Sequence, residues 1–367
     1  MFDRDDLRAA VSADILTPEQ AARLEAFLLS RHAVEGDGGE EQLRFLSNFN
    51  DIFVTIGIGI LFVGIAAFSG LMFGSNAASS RELTGVFFAA PIILAAWLMM
   101  EYFCARRRML LPSMALSVIF VGAATIAAMS IVALVIGDDW FDGNSVFERA
   151  GLAGVLTFAS AVGAALIVYA RYRLPFSLFL AALAASGMVY AGFAMMGEFG
   201  NILGGGVSLL MGIATMAAAI WFDMQDPERI RKASDNAFWL HLAAAPQLIA
   251  GVSAVFTGSN VLFGMAGGDG ADQSLILLVT LIALGVLALG LNRRALIAAS
   301  LFTFIWTLVA VLGAAGMDGL SVFMLVTLLI GGGVVFLGAG WKTARRSVLS
   351  VLPRGGVWDR VFPPEPV

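Results

Sequence analysis

The amino-acid sequence predicts an all-α, polytopic membrane protein with about ten transmembrane helices and both termini in the cytoplasm. Of its 367 residues, 59% are hydrophobic and 13% are charged, whereas an ordinary soluble domain carries about 25% charged residues. Long apolar segments recur along the chain, and the cationic residues concentrate in alternate connections between them. This composition excludes a soluble globular enzyme, a disordered chain and a disulfide scaffold.

Ten segments are long and apolar enough to cross a membrane, which takes about 20 residues for about 30 Å of hydrocarbon. They are 52–74, 83–103, 111–137, 149–170, 175–197, 201–222, 237–257, 273–291, 295–315 and 319–341. None carries a charge in its interior, where one would cost about 2.5–3.5 kcal/mol. The chain therefore divides into a cytoplasmic amphipathic helical hairpin (1–50), a ten-helix transmembrane domain (51–341) and a cytoplasmic basic, Pro-rich tail (342–367).

The positions of lysine and arginine predict the orientation. The N-terminal segment, the tail and every second connection hold 20 of the 22 cationic residues, and the other connections hold only Arg81 and Arg149. Because cationic residues near span ends stay on the cytoplasmic side, both termini are expected there. Only Lys232 and Lys342 are lysines, which is typical of a GC-rich bacterial genome. We therefore expect a multi-pass protein of the bacterial inner membrane, without a cleavable signal peptide.

The N-terminal fifty residues contain the main soluble feature, a predicted hairpin of two amphipathic helices. Thr17 suits an N-cap, Pro18 the first helical turn, and Gln20 the return contact of a capping box. Two short helices have too little core to be stable alone. We expect residues 1–45 to rest on the membrane domain, on a second copy or on a protein partner, although a cytosolic cap without a partner stays open.

The seventh span holds the candidate functional polar residues, Asn236, His241 and Gln247. Gln247 lies 11 residues after Asn236 on the same helical face, and His241 is displaced from that face by about 140°. Ser234 or Asp235 is expected to cap the start of the helix. Two interpretations stay open: helix capping with a hydrogen-bonded interior amide, or a substrate site.

Catalytic, metal-binding and cofactor-binding residues are not expected. The sequence has no HExxH motif, and its Gly-rich runs 204–206 and 331–333 lack the Lys and Ser/Thr of a phosphate-binding loop. The single cysteine, Cys104, excludes an intramolecular disulfide. Since the span interiors carry no charge, a proton relay through the membrane is not expected either.

Two residue patterns predict how the helices sit and pack. Aromatic residues at span ends, including Trp221, Trp239 and Trp341, are typical of anchors at the membrane–water interface. Small residues four apart, such as Gly187 and Ala191, allow two helix backbones to approach closely.

Three motifs carry a resemblance to a family. They are Leu16-Thr17-Pro18-Glu19-Gln20, the segment Asp235-Asn236-Ala237-Phe238-Trp239-Leu240-His241 with Pro246, and the Pro-rich tail. With these motifs the chain resembles a family of bacterial polytopic membrane proteins of uncharacterised function. The resemblance implies an inner-membrane location and no catalytic residue.

Three functional hypotheses follow. The first is a non-enzymatic scaffold or regulatory membrane protein that binds a partner through its hairpin. The second is a secondary transporter of a small neutral or lipophilic compound, since ten spans divide into five plus five as in many carriers. The third, a membrane enzyme acting on lipid-linked substrates, ranks last because no acid, base or metal cluster is evident. The expected partners are membrane lipids and a protein or second copy of this chain, with no nucleic acid.

Overall fold

The computed structural model describes residues 10–13, 15–24, 49–74, 83–136, 146–226, 232–257, 271–353 and 355–362. These ranges are helical and contain no β-strand, which confirms the all-α prediction for them. The long helices are α1 (Phe49–Gly74), α2 (Thr84–Met100), α3 (Leu110–Ile136), α4 (Val146–Tyr172), α5 (Phe176–Ala194), α6 (Gly197–Gln225), α7 (Lys232–Thr257), α8 (Ala271–Leu291), α9 (Arg294–Ala314) and α10 (Gly319–Leu349). A π-helical segment, Glu101–Arg106, extends α2, and a short helix, α11 (Val357–Val361), follows α10.

Seven of these helices, α1 to α7, are long and apolar enough to cross a membrane. Within α10, the parts Gly319–Val335 and Gly338–Leu349 meet at a bend of 70° and make an eighth span if they cross as one. In α8 the apolar stretch is shorter and covers Leu275–Leu291. The described residues therefore support seven or eight spans, fewer than the ten expected from the sequence. Helices suit such spans because they satisfy every backbone hydrogen bond internally, which lipid cannot do.

The first five helices share one apolar core, and α6 to α9 form a second. The predicted close packing of small residues occurs between α4 and α5: a Cβ at Gly154 would lie 2.7 Å from the Cβ of Ala191, and one at Gly187 would lie 2.5 Å from the Phe158 ring. Both distances are shorter than van der Waals contact. Glycine at these positions is therefore what permits the approach of the two helices.

Helices α6 and α7 also approach each other closely through their backbones. A Cβ at Gly251 would lie 2.4 Å from the backbone N and Cα of Leu209, and one at Gly212 would lie 2.8 Å from the backbone N of Leu248. These glycines permit contact between the two backbones themselves, which a side chain would prevent. As a result α7 is held directly against α6, and the polar residues of the two helices can reach each other.

The chain after α10 folds back onto the second core. Residues 342–349 of the predicted tail continue α10 to Leu349. Val361 and Phe362, at and after the end of α11, pack against the second core. The tail is thus partly helical and partly packed against the ends of α6, α8 and α9.

Helix ends show local capping. Thr17 N donates to Gln20 Oε1 (3.0 Å) and Gln20 N donates to Thr17 Oγ1 (3.2 Å), so the predicted capping box is confirmed. At the start of α10, the Asp318 carboxylate accepts hydrogen bonds from the backbone N–H groups of Leu320 and Ser321 and from the Ser321 hydroxyl. The bond from the Ser321 hydroxyl is the largest contribution lowering the pKa of Asp318 below its ordinary value. The second helix of the predicted hairpin is described only to Leu24, and residues 25–48 lie outside the described residues.

The aromatic residues divide into two groups. Trp221 is 59% exposed, as expected of an interfacial anchor. Trp341 differs from the prediction, because it is 6% exposed and its Nε1–H donates to Asn292 Oδ1 at 2.8 Å. Trp239 packs edge-on against Phe176, with ring centroids 4.7 Å apart. Trp341 and Trp239 therefore hold helices together.

We predict that Gly251→Ala destabilises the protein by about 1–3 kcal/mol, because the added methyl group must displace the Leu209 backbone. The matched control is Gly285→Ala in α8, where an added Cβ meets nothing within 4 Å. That change is expected to be neutral or slightly stabilising, since alanine favours a helix over glycine. Unfolding in mixed micelles of rising SDS content measures the change in the free energy of unfolding for both variants. Equal stability of the two variants would contradict the tight α6–α7 contact.

Candidate functional site

Four polar side chains meet where α6, α7 and the α8–α9 turn come together. They are Asp223, Ser234, His241 and Arg293, hereafter the Asp223 cluster. Each is buried, with His241 0% and Arg293 1% exposed. Buried charged side chains are rare unless they are paired, and in membrane domains they mark functional sites. The cluster is therefore the candidate site.

The Asp223 carboxylate is the centre of the cluster. Arg293 donates to it with two nitrogens, Nε to Oδ2 at 3.1 Å and Nη2 to Oδ1. His241 Nε2 lies 2.8 Å from Oδ2. Arg293 Nη2 also donates to Ser234 Oγ at 3.0 Å. A two-nitrogen arginine–carboxylate contact is both strong and geometrically specific, so it fixes the relative positions of α6 and the α8–α9 turn.

The turn between α8 and α9 positions Arg293. Asn292 adopts the left-handed conformation with φ 53°, which asparagine tolerates better than most residues. Asn292 N donates to Leu289 O (3.2 Å) and Arg293 N donates to Ala288 O (2.8 Å), the two bonds of a Schellman motif. This motif ends α8 abruptly and leaves Arg293 in the turn, within reach of α6.

Helix α7 contributes Ser234 and His241. They are seven residues apart, which is about two turns, so they lie on one face of the helix. The expectation that Ser234 caps α7 is wrong: the helix begins at Lys232, and the Ser234 hydroxyl inside it accepts a hydrogen bond from Arg293. The Ser234 hydroxyl therefore provides an acceptor for one N–H group of the buried Arg293 guanidinium.

The charges in the cluster balance. One carboxylate, from Asp223, and one guanidinium, from Arg293, compensate each other. Because an ionised carboxylate can only accept, Nε2 of His241 is the donor of the bond to Asp223. Among the described residues, Nδ1 of His241 has no hydrogen-bond partner. The cluster thus contains one buried ring nitrogen, His241 Nδ1, that makes no hydrogen bond with any of the described groups.

The three candidate residues from the sequence contact different helices. Asn236 Nδ2 donates to the Tyr169 hydroxyl on α4 at 2.9 Å, and His241 contacts Asp223 on α6. Gln247 Nε2 donates to Ser186 Oγ at 2.8 Å and to the backbone oxygen of Ala182 at 3.1 Å, both on α5. The structure therefore brings only His241 into the cluster and separates the other two from it.

Sequence reasoning missed Asp223 and Arg293. Both were assigned to polar connections between the predicted spans, and the structure buries both side chains. One signal was present in the sequence: only residues 292–294 separate the predicted spans 273–291 and 295–315, and in the structure the turn is Asn292 and Arg293. A two-residue turn between long helices holds its side chains close to the packed helix ends, where Arg293 meets the second core.

The chain matches no family model, no curated protein and no solved structure.

We predict strong coupling between Asp223 and Arg293. Either Asp223→Asn or Arg293→Met leaves one buried charge unpaired, which is expected to destabilise the protein by about 3–5 kcal/mol. The double variant buries no net charge and is expected to lose less than the sum of the two, by about 0.5–3 kcal/mol. A double-mutant cycle from SDS unfolding measures this coupling.

The matched control is the pair between Arg171 and Glu101, whose side chains are 53% and 34% exposed and whose nitrogen and oxygen lie 3.0 Å apart. Surface pairs of this kind contribute about 0–1 kcal/mol. A cycle through Glu101→Gln and Arg171→Met should therefore show little coupling. If the two cycles gave the same coupling energy, the Asp223–Arg293 pair would not be what holds α6 and the α8–α9 turn together.

Proposed function

We propose that this chain is a non-enzymatic scaffold or regulatory membrane protein that binds a protein partner through residues 1–45. The observation that favours this proposal over transport is that the side-chain amide nitrogens of Asn236 and Gln247, which would line a substrate path, donate hydrogen bonds to other helices. The contact between α6 and α7 leaves no room for a Cβ at Gly212 or Gly251. Asn236 and Gln247 therefore hold neighbouring helices together in a packed bundle.

The N-terminal segment supports partner binding. Ile15 is 73% exposed and Leu24 is 37% exposed, on either side of the Thr17–Gln20 capping box. The box fixes the start of the helix, so these apolar side chains are presented from an ordered turn. A partner helix or groove that buries them would gain about 25 cal/mol for each Å² of apolar surface removed from water.

We also propose ten spans in the bacterial inner membrane with both termini in the cytoplasm. Helices α8 and α9 have 21 residues each and α10 has 31, and about 20 suffice to cross. The left-handed residues Arg108, Arg173 and Asn292 close the α2–α3, α4–α5 and α8–α9 connections, all of which carry arginine. The resemblance of Leu16–Gln20 to a bacterial membrane-protein family supports the same location.

Labelling on either side of α10 tests the topology. In a Cys104→Ser background, Ala315→Cys and Ser350→Cys each place one exposed cysteine beside this helix. We expect a membrane-impermeant maleimide to label position 315 in intact spheroplasts and position 350 only after lysis. The parent without an added cysteine controls for background. Labelling of both positions from the same side would mean that the bent α10 re-enters without crossing.

Affinity capture tests the scaffold function. Partners cross-linked in membranes and recovered in mild detergent are expected with the full chain and to fall at least about tenfold, or about 1.4 kcal/mol, without residues 1–45. Ile15→Ser with Leu24→Ser should reproduce this loss, and the matched control Glu19→Gln with Arg23→Gln should keep the partners. Unchanged recovery from the deletion would remove the scaffold proposal.

A second candidate is transport of a small neutral or lipophilic compound. The observation that favours it is the burial of Asp223, His241 and Arg293 between helices, since ionisable residues inside membrane domains often belong to transport pathways. Unchanged partners in the capture experiment, together with altered metabolite content of a deletion strain that Asp223→Asn fails to restore, would favour transport over scaffolding.

A further inference from the structure

We propose that the Asp223 cluster is a proton-binding site: a proton binds Nδ1 of His241, and this proton and the Asp223–Arg293 ion pair exclude each other. The inference rests on the geometry of the cluster and holds whether the protein is a scaffold or a transporter. Its ligand is a proton taken from water.

The position of the basic nitrogen follows from the hydrogen bond to Asp223. Nε2 of His241 lies 2.8 Å from Oδ2 of Asp223 and donates to it, so the lone pair of the neutral ring lies on Nδ1. Nδ1 is buried and has no partner among the described residues, and His241 itself is 0% exposed. The site that accepts a proton is therefore a single, identified atom.

Charge explains why the proton and the ion pair compete. With a neutral imidazole the Asp223 cluster carries no net charge, and the Asp223 carboxylate serves both His241 and Arg293. Protonation adds a positive charge beside the guanidinium and a second buried N–H without an acceptor, and both are unfavourable away from water. Departure of the Arg293 side chain from the buried site to water relieves the repulsion without leaving its charge buried and unpaired, and the carboxylate then pairs with the imidazolium.

Among the described residues of the helices packed against α7 and the turn after α6, Asp226 is the further acid at the Asp223 end, since Glu198 lies at the opposite end of α6. These helices are α5, α6, α8 and α9, together with α4, whose titratable Tyr169 accepts a hydrogen bond from Asn236. The only titratable residues within α5 and α9 are Tyr190 and Arg294, and the only one within α8 is Asp272, at the opposite end of that helix. Helix α6 contributes Asp223 and is followed by Asp226, which is also buried and makes interactions of its own.

The α8–α9 turn is the part that can respond. Arg293 lies between two helices, so a shift of this turn would cost capping bonds such as Arg293 N to Ala288 O but would leave the α-helical ladders of α8 and α9 intact. Asn292, beside it, accepts a hydrogen bond from Trp341 Nε1 of α10 at 2.8 Å. Movement of the turn would therefore be transmitted to α10, and the hydrogen bond from Arg293 to Ser234 would be released with it.

Histidine-selective ¹⁵N NMR on the full chain tests the binding step. The sequence has two histidines, His32 and His241, so His32→Gln leaves one imidazole to observe. At neutral pH we expect a single tautomer with the proton on Nε2, and on acidification we expect protonation of Nδ1. An Nδ1–H tautomer at neutral pH, or no protonation before the protein unfolds, would overturn the proposal.

Distance measurement tests the coupling to the ion pair. Spin labels replace exposed Trp221 on α6 and exposed Val286 on α8, in the Cys104→Ser background. We expect the distance between the labels to change across the pH range in which His241 titrates. His241→Gln keeps an N–H donor for Asp223 but cannot titrate, so the change should be lost. A constant distance in the parent, or the same change in the glutamine variant, would contradict the exclusion of the ion pair by the proton.

Discussion

The ion pair between Asp223 and Arg293 is the interaction on which the second half of the molecule depends. It is buried, and its two charges compensate each other only while α6 and the α8–α9 turn stay in contact. Breaking it would leave a charge without water or a partner, which is far less favourable than losing an apolar contact. The positions of the other groups in the cluster follow from this pair. Ser234 accepts a further hydrogen bond from the Arg293 guanidinium, and His241 donates a hydrogen bond to the Asp223 carboxylate.

The pair can form because the backbone brings its partners close. Gly212 and Gly251 let α6 and α7 touch, and the left-handed Asn292 ends α8 so that Arg293 faces α6. Each of these features is local, but together they determine the position of the buried Arg293 charge. In a membrane domain, where apolar side chains gain little by exchanging lipid for protein, such close packing and polar contacts carry much of the specificity.

Several features could be predicted from the sequence because they depend on near neighbours along the chain. The capping box at Thr17 and Gln20 is one, and the small residues between α4 and α5 are another. Helical geometry also predicted that His241 would face away from Asn236 and Gln247. The buried contacts of Ser234, Arg293 and Trp341 were not predicted, because a serine near a helix start, an arginine in a connection and a tryptophan at a span end usually contact solvent or headgroups. Here each is buried by a helix distant in sequence.

The sequence by itself determined the apolar surroundings and the all-α class of this protein, since the shortage of charge and the long apolar segments leave helices as the way to satisfy the backbone. It also determined which polar residues share a helical face. Only the tertiary structure decided which helix each face meets, and so joined Asp223, His241 and Arg293 into one site. The physical reason is that the periodicity of a helix determines only the direction in which each side chain leaves that helix. A buried charge is stabilised by a partner on a different helix, and the packing of the helices determines which partner it meets.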